Sequence, residues 1–147
     1  MFGTISEILR TKGSQVWTTT PDATVFDAIK LMAEKNVGAL LVVEGVRLAG
    51  VISERDYTRK IVLQGKGSKT TPVRDILTTP VISVTPAHTV EDCMQLMTQH
   101  RVRHLPVLEG DKVVGIVSIG DLVNWIINVQ RVTITQLRNY IAGERSV

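Results

Sequence analysis

A single cysteine, 4% aromatic residues and the lack of any long apolar run are the first features of this 147-residue chain. Cys93 has no partner for a disulfide, so no disulfide framework holds the fold, and a reducing compartment is expected. No run of apolar residues approaches the ~20 needed to span a membrane. The opening MFGTISEILRTKG also lacks the apolar core of a secretory signal. The expectation is a cytoplasmic protein with no membrane partner. With so few aromatics, and with its lysines and arginines dispersed, the chain offers neither stacking platforms nor a basic stripe, which argues against nucleic acid as the partner. His88, His100 and His104 stand apart from any grouping of cysteine or carboxylate at metal-ligand spacing, so no metal site is expected. No nucleophile or acid–base pair can be assembled from the residues with any specificity, so an enzyme is not expected either.

What the chain does contain is ample hydrophobic material, 44% of residues, and a mild excess of base that gives a net charge of +3. A chain of this length buries roughly two thirds of its unfolded surface and needs no covalent staple. The excess of positive charge suits small anions such as phosphates.

The chain is also duplicated. The segment from Val16 to Ile61 lies over the segment from Val81 to Ile126 without a gap, and Pro21 and Pro86, Gly50 and Gly115, and Asp56 and Asp121 each stand 65 apart. Both copies read alike. Thr24 with Asp27, and Thr89 with Asp92, have the spacing of capping boxes that open a helix. Val25, Ala28, Ile29, Met32 and Ala33 then recur at helical spacing in the first copy, as do Val90, Cys93, Met94 and Met97 in the second. These stripes, Cys93 included, are expected in the core. Two short apolar strands joined by a turn follow in each copy, at Ala39–Val43 and Leu105–Glu109 and then in LAGVIS and VVGIVS. A second helix begins near Ser53 or Ser118. The predicted unit is therefore β-α-β-β-α, and two such units are expected to pack about a pseudo-two-fold axis, since one alone has little volume in which to bury its faces.

The predicted organisation is a first repeat over residues 3–63, a linker over 64–72, a second repeat over 73–130 and a C-terminal helical tail over 131–147. Thr4–Leu9 resembles Pro72–Leu77, so each repeat carries a short lead-in. Ile134, Leu137 and Ile141 predict a final helix without a counterpart in the first copy. Gly65–Thr70 lacks the spacing of a phosphate-binding loop and reads as linker. Trp125 and the apolar residues around it are expected at an interface, and His100 at a helix end.

The candidate chemistry lies in two equivalent segments, Gly50-Val-Ile-Ser53-Glu-Arg-Asp56 and Gly115-Ile-Val-Ser118-Ile-Gly-Asp121, each at a strand-to-helix junction. A helix N-terminus attracts anions, a serine hydroxyl can donate to a phosphate oxygen, and a carboxylate can accept from two ribose hydroxyls. Ser-x-x-Asp is equally the pattern of a capping box, and both readings stand at this point.

The motif T-P-x-x-T-V-x-D, the run Arg103-His-Leu-Pro-Val107 and the duplicated G-h-h-S-x-x-D, in which h is apolar, together span roughly residues 3 to 126. Through them the chain resembles a tandem pair of CBS domains, the Bateman module of inosine monophosphate dehydrogenase, AMP-activated kinase and chloride channels. The resemblance implies an α/β (α+β) pair of repeats that binds AMP, ADP, ATP or NAD between them, senses energy or redox state, and signals to an as yet unidentified protein, commonly as a homodimer and without a catalytic cofactor. It assigns ribose to Asp56 and Asp121, phosphate to Ser53 and Ser118, and the adenine or phosphate region to Gly38, Ala39, Arg103 and His104, with Trp17, Thr18 and Ile82 at the entry to each repeat. Arg103 and His104 also read as solvated strand-end residues. Arg55 precedes Asp56 where Gly120 precedes Asp121, so the two clefts are expected to differ, one taking a longer and more highly charged ligand. The alternative is a scaffold for dimerisation and assembly that binds no nucleotide.

Overall fold

In the computed structural model, which describes residues 1–142, the chain runs α1 (Ile5–Lys12), β1 (Thr18–Thr19), α2 (Val25–Lys35), β2 (Ala39–Glu44), β3 (Arg47–Ser53) and α3 (Glu54–Tyr57). A π-helical turn at Thr58–Val62 and a 3-10 turn at Val73–Asp75 precede α4 (Val90–His100), β4 (His104–Glu109), β5 (Lys112–Ser118) and α5 (Ile119–Ile141). The architecture is the expected mixed α and β one, with two small sheets and helices against them.

The helices begin where the caps predicted. The Thr24 side chain accepts from the Asp27 amide, and Thr89 and Asp92 form a complete capping box. In α2 the buried side chains are Val25, Ala28 and Met32; in α4 they are Val90, Cys93 and Met97, the same three positions. Ala33, expected on this stripe, faces solvent instead. His100 ends α4. Strands β2 and β3 form an antiparallel hairpin in which the register shifts between Val42 and Val43, and β4 and β5 repeat that shift between Val107 and Leu108. The first strand of each unit is minimal: β1 pairs in parallel with β2 over two residues, and its counterpart in the second copy is a single bridge from Val84 to Val107.

Sequence order does not reveal where the lead-ins pack. Ile5 and Ile8 of α1 are buried in the core of the second repeat, with Val90, Cys93, Leu105 and Val117. Val73 and Ile76 of the second lead-in are buried in the core of the first, with Val25, Met32, Leu40 and Ile52. Backbone bonds follow the same exchange. Val73 N donates to Ala23 O and Arg74 N to Pro21 O, while Ile5 N donates to His88 O and Ser6 N to Pro86 O. Each lead-in thus closes the core of the other repeat. The linker is drawn in as well, since the carbonyls of Ser68 and Thr71 accept the first free N–H groups of α2, from Phe26 and Val25.

One further expectation changes. The predicted final helix is not separate: α5 runs unbroken from Ile119 to Ile141, because no proline and no glycine after Gly120 interrupts its helical sequence. Residues 143–147 of the expected tail lie outside the described residues. Trp125 packs within the chain against the second core, and its indole N–H donates to the carbonyl of Phe2. Cys93 is buried, and burial, aided by the nearby Asp92 charge, pushes its thiol up to about 11, so it is inert near neutral pH.

Candidate functional site

Each G-h-h-S-x-x-D segment places its serine at the end of a strand and its aspartate in the first turn of a helix. Both Ser53/Asp56 and Ser118/Asp121 form complete capping boxes. The strand glycines face the lead-in segments. A Cβ on Gly50 would meet Leu77 of the lead-in, and one on Gly115 would meet Leu9 of α1. The close approach they permit is therefore that of the exchanged lead-ins, not of a ligand.

The two boxes open onto two clefts between the repeats. The first, of about 390 Å³, sets Ser53, Arg55 and Asp56 against Ile82, Arg103 and His104. The second, of about 300 Å³, sets Ser118 and Asp121 against Trp17, Gly38 and Ala39. Gly38 and His104 line both. The predicted residues are therefore regrouped across the copies: Arg103 and His104 join Arg55 and Asp56, and Gly38 and Ala39 join Asp121. The cationic residues that sequence order shared between two sites converge on one. Thr18, exposed in the edge strand β1, and Gly120, exposed in the first turn of α5, line neither cleft.

The aspartates sit in unequal surroundings. Asp56, 8% exposed, accepts at Oδ2 from the Ser53 amide at 2.9 Å and the Ser53 hydroxyl at 3.0 Å. Its Oδ1 meets the Thr78 hydroxyl at 3.1 Å and the Lys60 ammonium at 3.1 Å. Asp121 accepts at Oδ2 from the Ser118 amide at 2.8 Å and from Lys12 Nζ at 2.6 Å, while Lys12 also reaches the Ile116 carbonyl at 2.7 Å. Among the described residues nothing donates to Asp121 Oδ1. Burial pushes this carboxyl up, but the Lys12 and Ser118 hydrogen bonds outweigh it and hold the group below the ordinary aspartate value. His104 is pulled below the ordinary histidine value, first by burial and then by the charge of Lys12. The imidazole between the clefts is thus neutral near pH 7.

Sequence reasoning missed Lys12, Lys60, Thr78, Arg59 and Arg101. Lys60 was within reach of it, standing four residues after Asp56 on a helical segment, and Arg101 lies two before Arg103. Lys12 and Thr78 arrive through the exchanged lead-ins and carry no local signal.

The family model described as CBS domain matches residues 5–63 and again residues 73–128. The mitochondrial CBS domain-containing protein CBSX3 of Arabidopsis thaliana is 47% identical over 150 residues, covering 95% of this chain and 72% of that protein. A putative signal-transduction protein with CBS domains from Burkholderia ambifaria superposes with a TM-score of 0.82 at 52% identity, covering 85% of this chain and 94% of that one. A CBS domain pair solved in complex with 5-methylthioadenosine and S-adenosyl-L-methionine shares the fold, with a TM-score of 0.76 at 23% identity over 85% of this chain and 96% of that one.

Proposed function

This chain belongs to the CBS-domain family, whose paired repeats are a known regulatory module, and from that premise we propose that it binds an adenosine nucleotide (AMP, ADP, ATP or NAD) in the clefts between its repeats. Binding reports energy or redox state in the cytoplasm through a change in how the repeats, or two copies of the chain, sit together. The observation that carries this reading is the pair of serine–aspartate boxes at strand-to-helix junctions, each facing the other repeat across a cleft. Asp56 and Asp121 are the proposed ribose acceptors. Trp17, which lines the second cleft, is the proposed contact for a base. The solved pair holding two adenosine compounds in the same fold supports the ligand class. A ligand that docks across the interface can shift the arrangement of the repeats only by its differential affinity for the two states, so the arrangement is the signal read by a partner protein. No helix among the described residues is long and apolar enough to cross a membrane.

The test is a thermal-shift panel of AMP, ADP, ATP and NAD on the whole chain. At about 100 times its dissociation constant a ligand adds about 2.7 kcal/mol, a rise of several degrees for a protein of this size. The rise is expected to vanish when Asp56→Ala and Asp121→Ala are combined. A flat response to the whole panel would overturn the reading and leave the assembly scaffold. Exposed apolar side chains on α5, among them Ile134, Leu137 and Ile141, are the proposed contact of a homodimer. Light scattering of the native chain and of Leu137→Asp tests that contact: the native chain is expected at twice its mass, the variant at its own.

A further inference from the structure

The duplication supplies an internal control for the first cleft. Wherever an arginine lines it, the equivalent residue of the other copy is neutral. Arg55 stands for Gly120, Arg59 for Asn124, Arg101 for Asn36 and Arg103 for Gly38. The substitutions come from both repeats, Arg55 in α3 and Arg59 in the π-helical turn that follows it, Arg101 and Arg103 in the turn before β4, and they meet only because the fold sets those segments face to face. The second cleft gained nothing comparable. Its single cation, Lys12, is committed to Asp121 and the Ile116 carbonyl.

The cationic side chains of the first cleft, Arg55, Arg59, Lys60, Arg101 and Arg103, also outnumber its carboxylates. Two carboxylates, Glu54 and Asp56, line it. Asp56 is taken up by Lys60, Ser53 and Thr78, and among the described residues none of the four arginines forms an ion pair. Arg101 moreover sits at φ 56°, ψ 42° as the C-cap of α4, where α2 has Asn36 at φ 54°, ψ 48°. Asparagine adopts this left-handed conformation readily and arginine does not. The second copy thus holds a cation at a position whose backbone favours the residue of the first.

Resting on the adenosine reading above, we infer that the two clefts take ligands of different charge: the first selects a di- or triphosphate chain, gripped by Arg59, Arg101 and Arg103, and the second a nucleoside or monophosphate. Guanidinium groups match phosphate oxygens in a fork geometry, and several of them outbid one lysine only when the ligand offers several phosphates.

The experiment is isothermal titration of the whole chain with adenosine, AMP, ATP and inorganic tripolyphosphate, at low and at physiological salt. It is repeated on the double variant Arg101→Asn, Arg103→Gly, which writes the residues of the first copy into the second. Asparagine suits the backbone at 101, and a melting curve confirms that the variant is folded. ATP is expected to bind one site about tenfold or more tighter than AMP, with the preference shrinking as salt rises. The double variant is expected to lose that preference, while AMP binding at the second cleft, which neither Arg101 nor Arg103 lines, stays within about twofold. Equal affinity for AMP and ATP in the native chain, or a preference that survives in the variant, overturns the inference and leaves the adenosine reading intact. Tripolyphosphate binding that the variant loses, with ATP binding no tighter than tripolyphosphate and adenosine not at all, upholds the charge assignment and overturns the adenosine reading. No binding by any of the four overturns both.

Discussion

Gly50 and Gly115 occupy one position in the two copies, yet their neighbours differ in how far they can give way. A Cβ at 50 would lie 2.6 Å from Leu77 Cδ1 and 3.0 Å from the Thr78 carbonyl oxygen, which is backbone. One at 115 would meet only the Leu9 side chain, at 2.8 Å. Overpacking against a fixed backbone costs about 1–3 kcal/mol, so Gly50→Ala is expected to lower the urea midpoint clearly and Gly115→Ala to lower it less. Equal losses would show that Leu9 is held as rigidly as the main chain. His104 makes a pH prediction. Its native value lies below the ordinary 6.5, so the unfolded chain binds this proton more readily, and stability is lost as the pH falls through about 6.5, levelling off once the native imidazole charges. Denaturation midpoints taken at about pH 7.5 and about pH 5.5 should differ more for the native chain than for His104→Asn. The depressed Asp121 acts in a lower window, with stability lost as pH drops below 3.8 through its native value.

At the scale of the element, what could be read from the sequence was what is local. The capping boxes at Thr89 and Ser118 close within four residues, the stripes of α2 and α4 repeat every turn, and the hairpins turn at Gly45 and Gly110, both at positive φ. The continuity of α5 is local too, since nothing between Gly120 and Ile141 breaks it, and a separate final helix has no stop signal to divide it off. The lead-ins were a different matter. Ile5 and Ile8 have the same spacing and character as Val73 and Ile76, and nothing in either segment says which repeat it will close. That choice depends on which chain path lets α1 reach β5, and with it go Lys12 and Thr78, the two side chains that hold the aspartates from outside their own segments. The exchange has a consequence that can be measured. Ile8→Ala leaves a cavity that costs about 2–5 kcal/mol. Although Ile8 precedes the first repeat in sequence, the lost hydrogen-exchange protection is expected in α4, β4 and β5, whose core it fills. Ile76→Ala is expected to do the reverse, loosening α2, β2 and β3. Loss confined to the repeat that follows each residue in the chain would refute the exchange.

For the whole molecule, the exchange binds two small cores into one folding unit. Neither repeat, cut at its sequence boundary, contains the residues that complete its interior: the first lacks Val73 and Ile76, and the second lacks Ile5 and Ile8. Contacts within each repeat are therefore insufficient by themselves, and opening one repeat exposes apolar surface on both. The full chain is expected to unfold in a single transition, with fluorescence of Trp17, which packs on the first core, and of Trp125, which packs on the second, changing together. The same reasoning ranks two fragments of nearly equal length. Residues 14–80 keep the first core whole by retaining the second lead-in, whereas residues 1–63 exchange that lead-in for an α1 with no second repeat to close. The first fragment is expected to show helical circular dichroism and a cooperative melt, and the second to show neither. If 1–63 folded as well as 14–80, each repeat would be self-sufficient. A ligand between the repeats would then be moving two self-sufficient bodies, where the exchanged lead-ins make the interior of each repeat complete only with a segment from the other.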